Sequence, residues 1–287
     1  MRHYDIINID LLNREWVASA RCNLTLYYLF GGIMENISID IILFLVFSGF
    51  IAAFIDSVVG GGGLISVPAL LLTGISPTMV LGTNKISSVM GSLTSSISFL
   101  KSGKIDIHLI KFLFPLSFIG SVLGAITVQQ IPSHFLKPLV VIMLIIVTIY
   151  TFTKKEWGNT STYQGMNKKK MYLSGLIAFF IGFYDGFFGP GAGSFFIFSF
   201  LMIGFDFVIA AGNSKALNFA SNIAASLTFI YFGSVNYYYA VPMGLSMIVG
   251  ALVGSKLAIR KGAAYIRPLF LFMSVLLISK QIWEFLH

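Results

Sequence analysis

Apolar runs of about 18 to 25 residues alternate with short polar joints along most of this chain. A helix rises ~1.5 Å per residue, so each run is long enough to cross ~30 Å of hydrocarbon. The pattern predicts long helices over residues 39–59, 79–100, 109–128, 136–152, 171–188, 208–232, 237–258 and 265–286. Two further apolar pieces, 64–72 and 194–203, are too short to span a bilayer alone. The expected fold class is therefore an all-α polytopic membrane protein.

The polar interruptions occur twice. Asp56 precedes Gly60, Gly61, Gly62 and Gly63 and is followed by Gly82-Thr83-Asn84-Lys85. Asp185 precedes Gly189, Pro190, Gly191 and Gly193 and is followed by Gly212-Asn213-Ser214-Lys215. From residue 63 to residue 143 the two copies keep a register of 130, which aligns Gly74 with Gly204, Lys85 with Lys215, Gly120 with Gly250 and Pro138 with Pro268. Duplication with broken apolar segments is a transporter pattern. Each repeat is expected to hold four long helices and one short half-helix. The chain divides on this reading into an N-terminal extension (1–33), a first transmembrane repeat (34–153), a basic cytoplasmic linker (154–170) and a second repeat (171–287). Residues 1–33 contain Asp5, Asp10, Arg14, Glu15 and Arg21 and lack the basic start and apolar middle of a signal peptide. They read as a peripheral extension or as a misassigned translation start before Met34.

Charge then sets the orientation. Lysine and arginine cluster in the joints 101–111, 154–170 and 256–267, whereas 129–134 and 233–236 contain neither. If each short piece completes a crossing, every half crosses five times and all three basic joints fall on the cytoplasmic side. If the short pieces dip in and return, the joints 154–170 and 256–267 land on opposite faces. Charge bias thus favours five plus five, and an odd number inserts the second copy upside down. Inverted repeats of this kind open alternately to either side.

Composition narrows the function. Hydrophobic residues make up 56% of the chain and charged residues 10%, a balance unsuited to a water-soluble globule. The net charge of +8 lies in the joints rather than on one soluble face, which argues for membrane orientation and against nucleic acid. Cys22 is the single cysteine, so neither an intramolecular disulfide nor a cysteine metal cluster can form. His3, His108, His134 and His287 have no metal-ligand spacing, and no nucleophile–base set falls at one membrane depth. No catalytic residue, metal or cofactor is expected, and an intramembrane enzyme ranks last among the readings.

The candidate site lies at the two breaks. Unpaired backbone groups in lipid cost several kcal/mol each (~2 to 7), so four consecutive glycines must face protein or water. Each short piece starts directly after its glycines, which turns free N–H groups and a positive dipole end toward the break, an arrangement suited to an anion. The alternative is that the glycines only permit close helix packing. Lys85 and Lys215 lie inside apolar segments, where a lysine costs ~2.5 to 3.5 kcal/mol unless it meets a partner, water or substrate. They contact substrate, form structural ion pairs with Asp56 or Asp185, or snorkel toward the interface; all three readings stand. The two aspartates are candidates for coupling a proton. Asn84, Asn213, Ser214, Asn218 and Asn222 supply neutral donors, and Asn218 and Asn222 share a helical face with Ser214 and Lys215. Gly120-x-x-x-Gly124 and Gly250-x-x-x-Gly254 read as packing faces.

The segments Phe54-Ile55-Asp56-Ser57-Val58-Val59-Gly60-Gly61-Gly62-Gly63 and Gly82-Thr83-Asn84-Lys85, with Asp185-Gly186-Phe187-Phe188-Gly189-Pro190-Gly191 and Gly212-Asn213-Ser214-Lys215, resemble the TauE/SafE family of sulfite and organosulfonate exporters. The likeness covers about residues 34–286. It implies a multi-pass permease of a bacterial inner membrane that moves sulfite, sulfoacetate or a related small sulfur or carboxylate anion. Its partners would be that anion and the lipid bilayer, and a homo-oligomer stays open. The alternative is a non-transporting membrane anchor or partner protein whose polar stripe only holds helices together.

Overall fold

A computed structural model describes residues 38–132, 134–136, 138, 142, 163, 165 and 167–262. The chain divides into Met1–Ile42, of which only 38–42 are described, and Leu43–His287, which holds all that follows except the first residues of the first helix. Among the described residues all regular structure is helical. The helices are α1 (Ile39–Val59), α2 (Gly63–Leu71), α3 (Pro77–Lys101), α4 (Ile107–Gln129), α5 (Lys168–Phe187), α6 (Ala192–Ile203), α7 (Phe207–Tyr231) and α8 (Tyr237–Lys261).

Most of the expected segments reappear, α1 with its expected ends and several others with earlier starts that capping explains. Ser76 accepts from the Met79 N–H with Pro77 as the first helical residue, so α3 starts two residues before the expected position. Asn167 accepts from the Lys170 N–H and starts α5 ahead of its apolar run. Asp106, Asp206 and Asn236 cap α4, α7 and α8 in the same way. The helix expected over 265–286, and most of that over 136–152, lie outside the described residues.

Packing is inside-out relative to a soluble protein. Leu43, Phe47, Ile119, Phe180, Leu245 and Val249 are exposed, whereas Lys85, Asn213, Ser214, Lys215 and Asn222 are buried. Apolar rings and chains therefore meet the surroundings while amides and ammonium groups turn inward, as a lipid solvent requires. α1, α4 and α8 are each long and apolar enough to cross a membrane by length and composition. α3, α5 and α7 contain 25, 20 and 25 residues. Their inward polar stripes and the lysines opening α5 lower the average hydropathy.

α7 sits against α3, α4, α5 and α6, while α4 packs on α5 and α8 on α3. Small residues make this possible: Ala210, Ala211, Gly212, Ala220, Ala224 and Ala225 are all buried on α7. The contacts between the two copies are reciprocal. The Asp106 N–H donates to Asn213 Oδ1 at 2.8 Å, and the Asn236 N–H donates to Thr83 Oγ1 at 2.9 Å. Positions 106 and 236, like 83 and 213, are equivalent in the register of 130. Gly212 likewise abuts the Lys104 carbonyl as Gly82 abuts that of Ser234. Thr83→Val should leave the Asn236 N–H without its acceptor and cost about 1–3 kcal/mol. Thermal melting in detergent checks this, with an unchanged midpoint as the contrary result.

Candidate functional site

Asp56 lies in the last turn of α1, and the chain then turns through Gly60 (φ 66°) and Gly61 (φ 145°) before α2 begins. Asp185 lies in the last turn of α5, followed by Gly189 (φ 99°) and Gly191 (φ 83°) before α6. From aspartate to the aligned glycine, the second break is one residue longer (Asp185 to Gly193 against Asp56 to Gly63) and carries Pro190. The two breaks touch. A Cβ on Gly193 would lie 2.9 Å from Gly60 Cα, and one on Gly63 would lie 2.8 Å from Pro190 Cα, so any side chain here would push them apart. Ser194 Oγ donates to the Val59 carbonyl at 2.9 Å and also to that of Gly60. Neither α2 nor α6 has a side-chain cap.

Each lysine reaches the aspartate of the other copy. Lys85 Nζ lies 2.5 Å from Asp185 Oδ1 and donates to Asn222 Oδ1 at 3.2 Å. Lys215 Nζ lies 2.7 Å from Asp56 Oδ2. Asp185 Oδ2 accepts from Asn218 Nδ2 at 2.9 Å and from Ser221 Oγ. Asp56 Oδ1 instead accepts main-chain N–H groups of Gly61 (3.0 Å) and Gly62 (3.2 Å) at the opening of α2. At the first break the N–H groups expected to face an incoming anion thus already hold a carboxylate of the protein. Ion pairing offsets the burial cost of all four charges.

A cavity of about 30 Å³ lies beside these pairs, room for about two water molecules at ~10–15 Å³ each. Of the residues singled out in the sequence, Asp56, Gly62, Gly63, Asn84, Lys85 and Asp185 line it, joined by Gly189, Gly191, Gly193, Asn218 and Asn222. Gly60, Gly61, Pro190, Asn213, Ser214 and Lys215 do not. Gly60 and Gly61 form the turn itself; the Pro190 carbonyl accepts from the Tyr184 hydroxyl at 2.6 Å; Asn213 holds the α4 cap; and Ser214 Oγ donates to the Gly193 carbonyl at 2.8 Å. Lys215 is fully buried and meets the cavity only through Asp56. Asn84 Oδ1 is buried and has no hydrogen-bond partner among the described residues. Sequence reasoning missed Gly91, Ser194 and Met247; the register of 130, which aligns Gly91 with Ser221, carried the signal for the first. Among the described residues no group of His, Cys, Asp or Glu is placed to hold a metal ion.

An apolar exterior around paired charges at broken helices defines the class of a multi-pass membrane permease. The sequence profile of the family described as Sulfite exporter TauE/SafE matches residues 45–280, and the chain belongs to that family. A probable membrane transporter protein, ORF9, of Sinorhizobium sp is 36% identical over 255 residues, spanning 88% of this chain and 97% of that protein. A probable membrane transporter protein of Haemophilus influenzae is 35% identical over 250 residues (87% and 97%), and YfcA of Escherichia coli K12, also named a probable membrane transporter protein, is 34% identical over 241 residues (84% and 89%). No solved structure matches the chain. The protein is an integral membrane transporter of this family.

Proposed function

We propose that this transporter carries a small anion of the sulfite, sulfoacetate or related organosulfur or carboxylate class by alternating access between two inverted halves. The observation that carries the reading is the reciprocal pairing of Lys85 with Asp185 and Lys215 with Asp56 across two touching helix breaks. Reciprocal contacts are what a local two-fold relation produces, and the bias of basic joints supports an axis lying in the membrane plane. The halves are 34–153 and 171–287, joined by a cytoplasmic linker, with 1–33 peripheral to transport. The membrane is the bacterial inner membrane, and no chemistry is performed on the cargo.

The cargo would sit at the cavity against Asn84, Asn218, Asn222 and the glycine breaks, with the lysines as counter-charges. The present cavity holds water at most, so loading requires the two breaks to separate. A flux screen in proteoliposomes with sulfite, sulfoacetate, thiosulfate and small carboxylates tests the reading. Flux of at least one of these is expected, with Lys215→Ala lowering it at least about tenfold, the effect of losing a charged hydrogen bond. Absence of flux for every anion, the outcome a membrane anchor predicts, would overturn it.

A further inference from the structure

The two ion pairs are equivalent by repeat but not by environment. Asp185 is gripped by side chains: Lys85, Asn218 and Ser221 fill its oxygens, and its side chain is 2% exposed. Subtracting 130 from 218 and 221 gives Ser88 and Gly91, so the first copy has a shorter side chain at one of these positions and none at the other. Asp56 accordingly has one side-chain donor among the described residues, Lys215, and its side chain is 23% exposed at the cavity. What holds Asp56 otherwise is backbone, the Gly61 and Gly62 N–H groups. Pro190 and Gly191 stand at the equivalent places after Asp185, and proline has no N–H to offer.

Charge makes the difference functional. Among the described residues the cavity is lined by Asp56 from α1, Lys85 from α3 and Asp185 from α5 and by no other charged side chain; Lys215 from α7 stands behind Asp56, while α2, α6 and α8 contribute only neutral groups. Two cations and two carboxylates sum to zero. An anion entering this desolvated site finds both ammonium groups committed and no net positive charge to receive it. Two main-chain N–H groups and an ammonium nevertheless form an oxyanion seat, now filled by the Asp56 carboxylate.

Building on the anion-transport reading, we propose that Asp56 is the exchangeable carboxylate. It takes one proton from the open compartment and swings off its seat, and a singly charged oxyanion takes its place on Lys215 and the Gly61 and Gly62 N–H groups. Asp185 stays ionised and bound to Lys85. Lys215 keeps its proton throughout, so one anion and one proton move together and the occupied site remains neutral. The cargo is a monoanion because a single protonation frees a single positive charge.

The test uses the full chain in proteoliposomes at zero membrane potential, with labelled methanesulfonate, whose single charge does not titrate between pH 5 and 8. A gradient of one pH unit should accumulate the probe about tenfold in wild-type vesicles, the ratio one coupled proton gives. Asp56→Asn should hold the ratio at unity while tracer exchange continues at a reduced rate. Gly91→Ser should return a donor toward Asp56, favour its ionised form and move the half-maximal pH of flux about one unit to the acid side. A Cβ at Gly91 would lie 3.4 Å from Met247 Cβ and 3.5 Å from Ala53 Cβ, ordinary contact that the fold accepts. Tenfold accumulation by Asp56→Asn, or a Gly91→Ser profile that is unmoved or shifted to alkaline pH, would overturn the proposal. So would a protein that moves another anion but not this probe. Absence of flux for every anion would instead remove the transport reading beneath it.

Discussion

Lys85→Met should destabilise the protein by about 3–5 kcal/mol, the cost of stranding one member of a buried ion pair. Asp185 is 1% exposed and, with Lys85 gone, its charge would be held only by Asn218 and Ser221. Adding Asp185→Asn removes the stranded charge, so the double variant should recover at least about 2 kcal/mol of that loss, a coupling in the range found for contacting residues. Flux should be absent in both variants, which separates the pair's structural contribution from its part in transport. The other pair should respond less. In Lys215→Met, Asp56 keeps two main-chain N–H donors and access to the cavity, so the loss should be smaller and its rescue by Asp56→Asn weaker. Thermal midpoints in detergent for the two cycles decide the matter. Equal losses in both cycles, or no recovery in the Lys85→Met/Asp185→Asn variant, would mean that the two pairs do not differ in the way their hydrogen bonds indicate.

Much of this architecture is legible in the sequence, for reasons that also mark where reading stops. Apolar runs located α1 to the residue, because both of its ends coincide with a change in hydropathy. They placed the starts of α3 and α5 late, because Ser76 and Asn167 act through a hydrogen bond that an apolar count does not register. The register of 130 revealed which positions are equivalent, yet it could not say whether Lys85 meets the aspartate of its own copy or of the other. That choice depends on how the breaks cross, and the crossing is decided by glycine-to-glycine backbone contact between Gly60 and Gly193. Isolated positions gave a donor-lined stripe; only the fold separates Asn218 and Asn222, which line the cavity, from Asn213 and Ser214, which tie helices and breaks together. The different surroundings of the two aspartates were present in the aligned letters, Ser221 against Gly91 and Asn218 against Ser88, but acquire meaning once both are seen beside a carboxylate.

Gly186→Ala should be among the most damaging single methyl additions in the protein. α4 and α5 interlock through glycines on both helices. A Cβ on Gly120 would lie 2.9 Å from Phe183 N, on Gly124 2.7 Å from Phe187 N, on Gly182 2.8 Å from Ser117 Cα, and on Gly186 2.7 Å from Ser121 Cα. Each obstacle is backbone, so no rotamer change relieves it, and the helices must part. The expected cost is about 3 kcal/mol, the upper end of the overpacking range. Damage would not stop at packing. Gly186 follows Asp185 directly, and Ser121, its obstacle, donates through Oγ to the Ser221 carbonyl, whose own hydroxyl donates to Asp185. Parting α4 from α5 therefore draws Asp185 away from Lys85 and α7, and flux should fall with stability. Gly175, earlier on α5, provides the comparison. Its added Cβ would meet only the ends of Leu116 and Phe112 side chains, at 3.0 and 3.3 Å, which can yield, so Gly175→Ala should cost under about 1 kcal/mol and leave flux intact. Should Gly186→Ala melt no lower than Gly175→Ala, α4 and α5 are not in backbone contact, and the glycines would no longer account for how Asp185 is positioned.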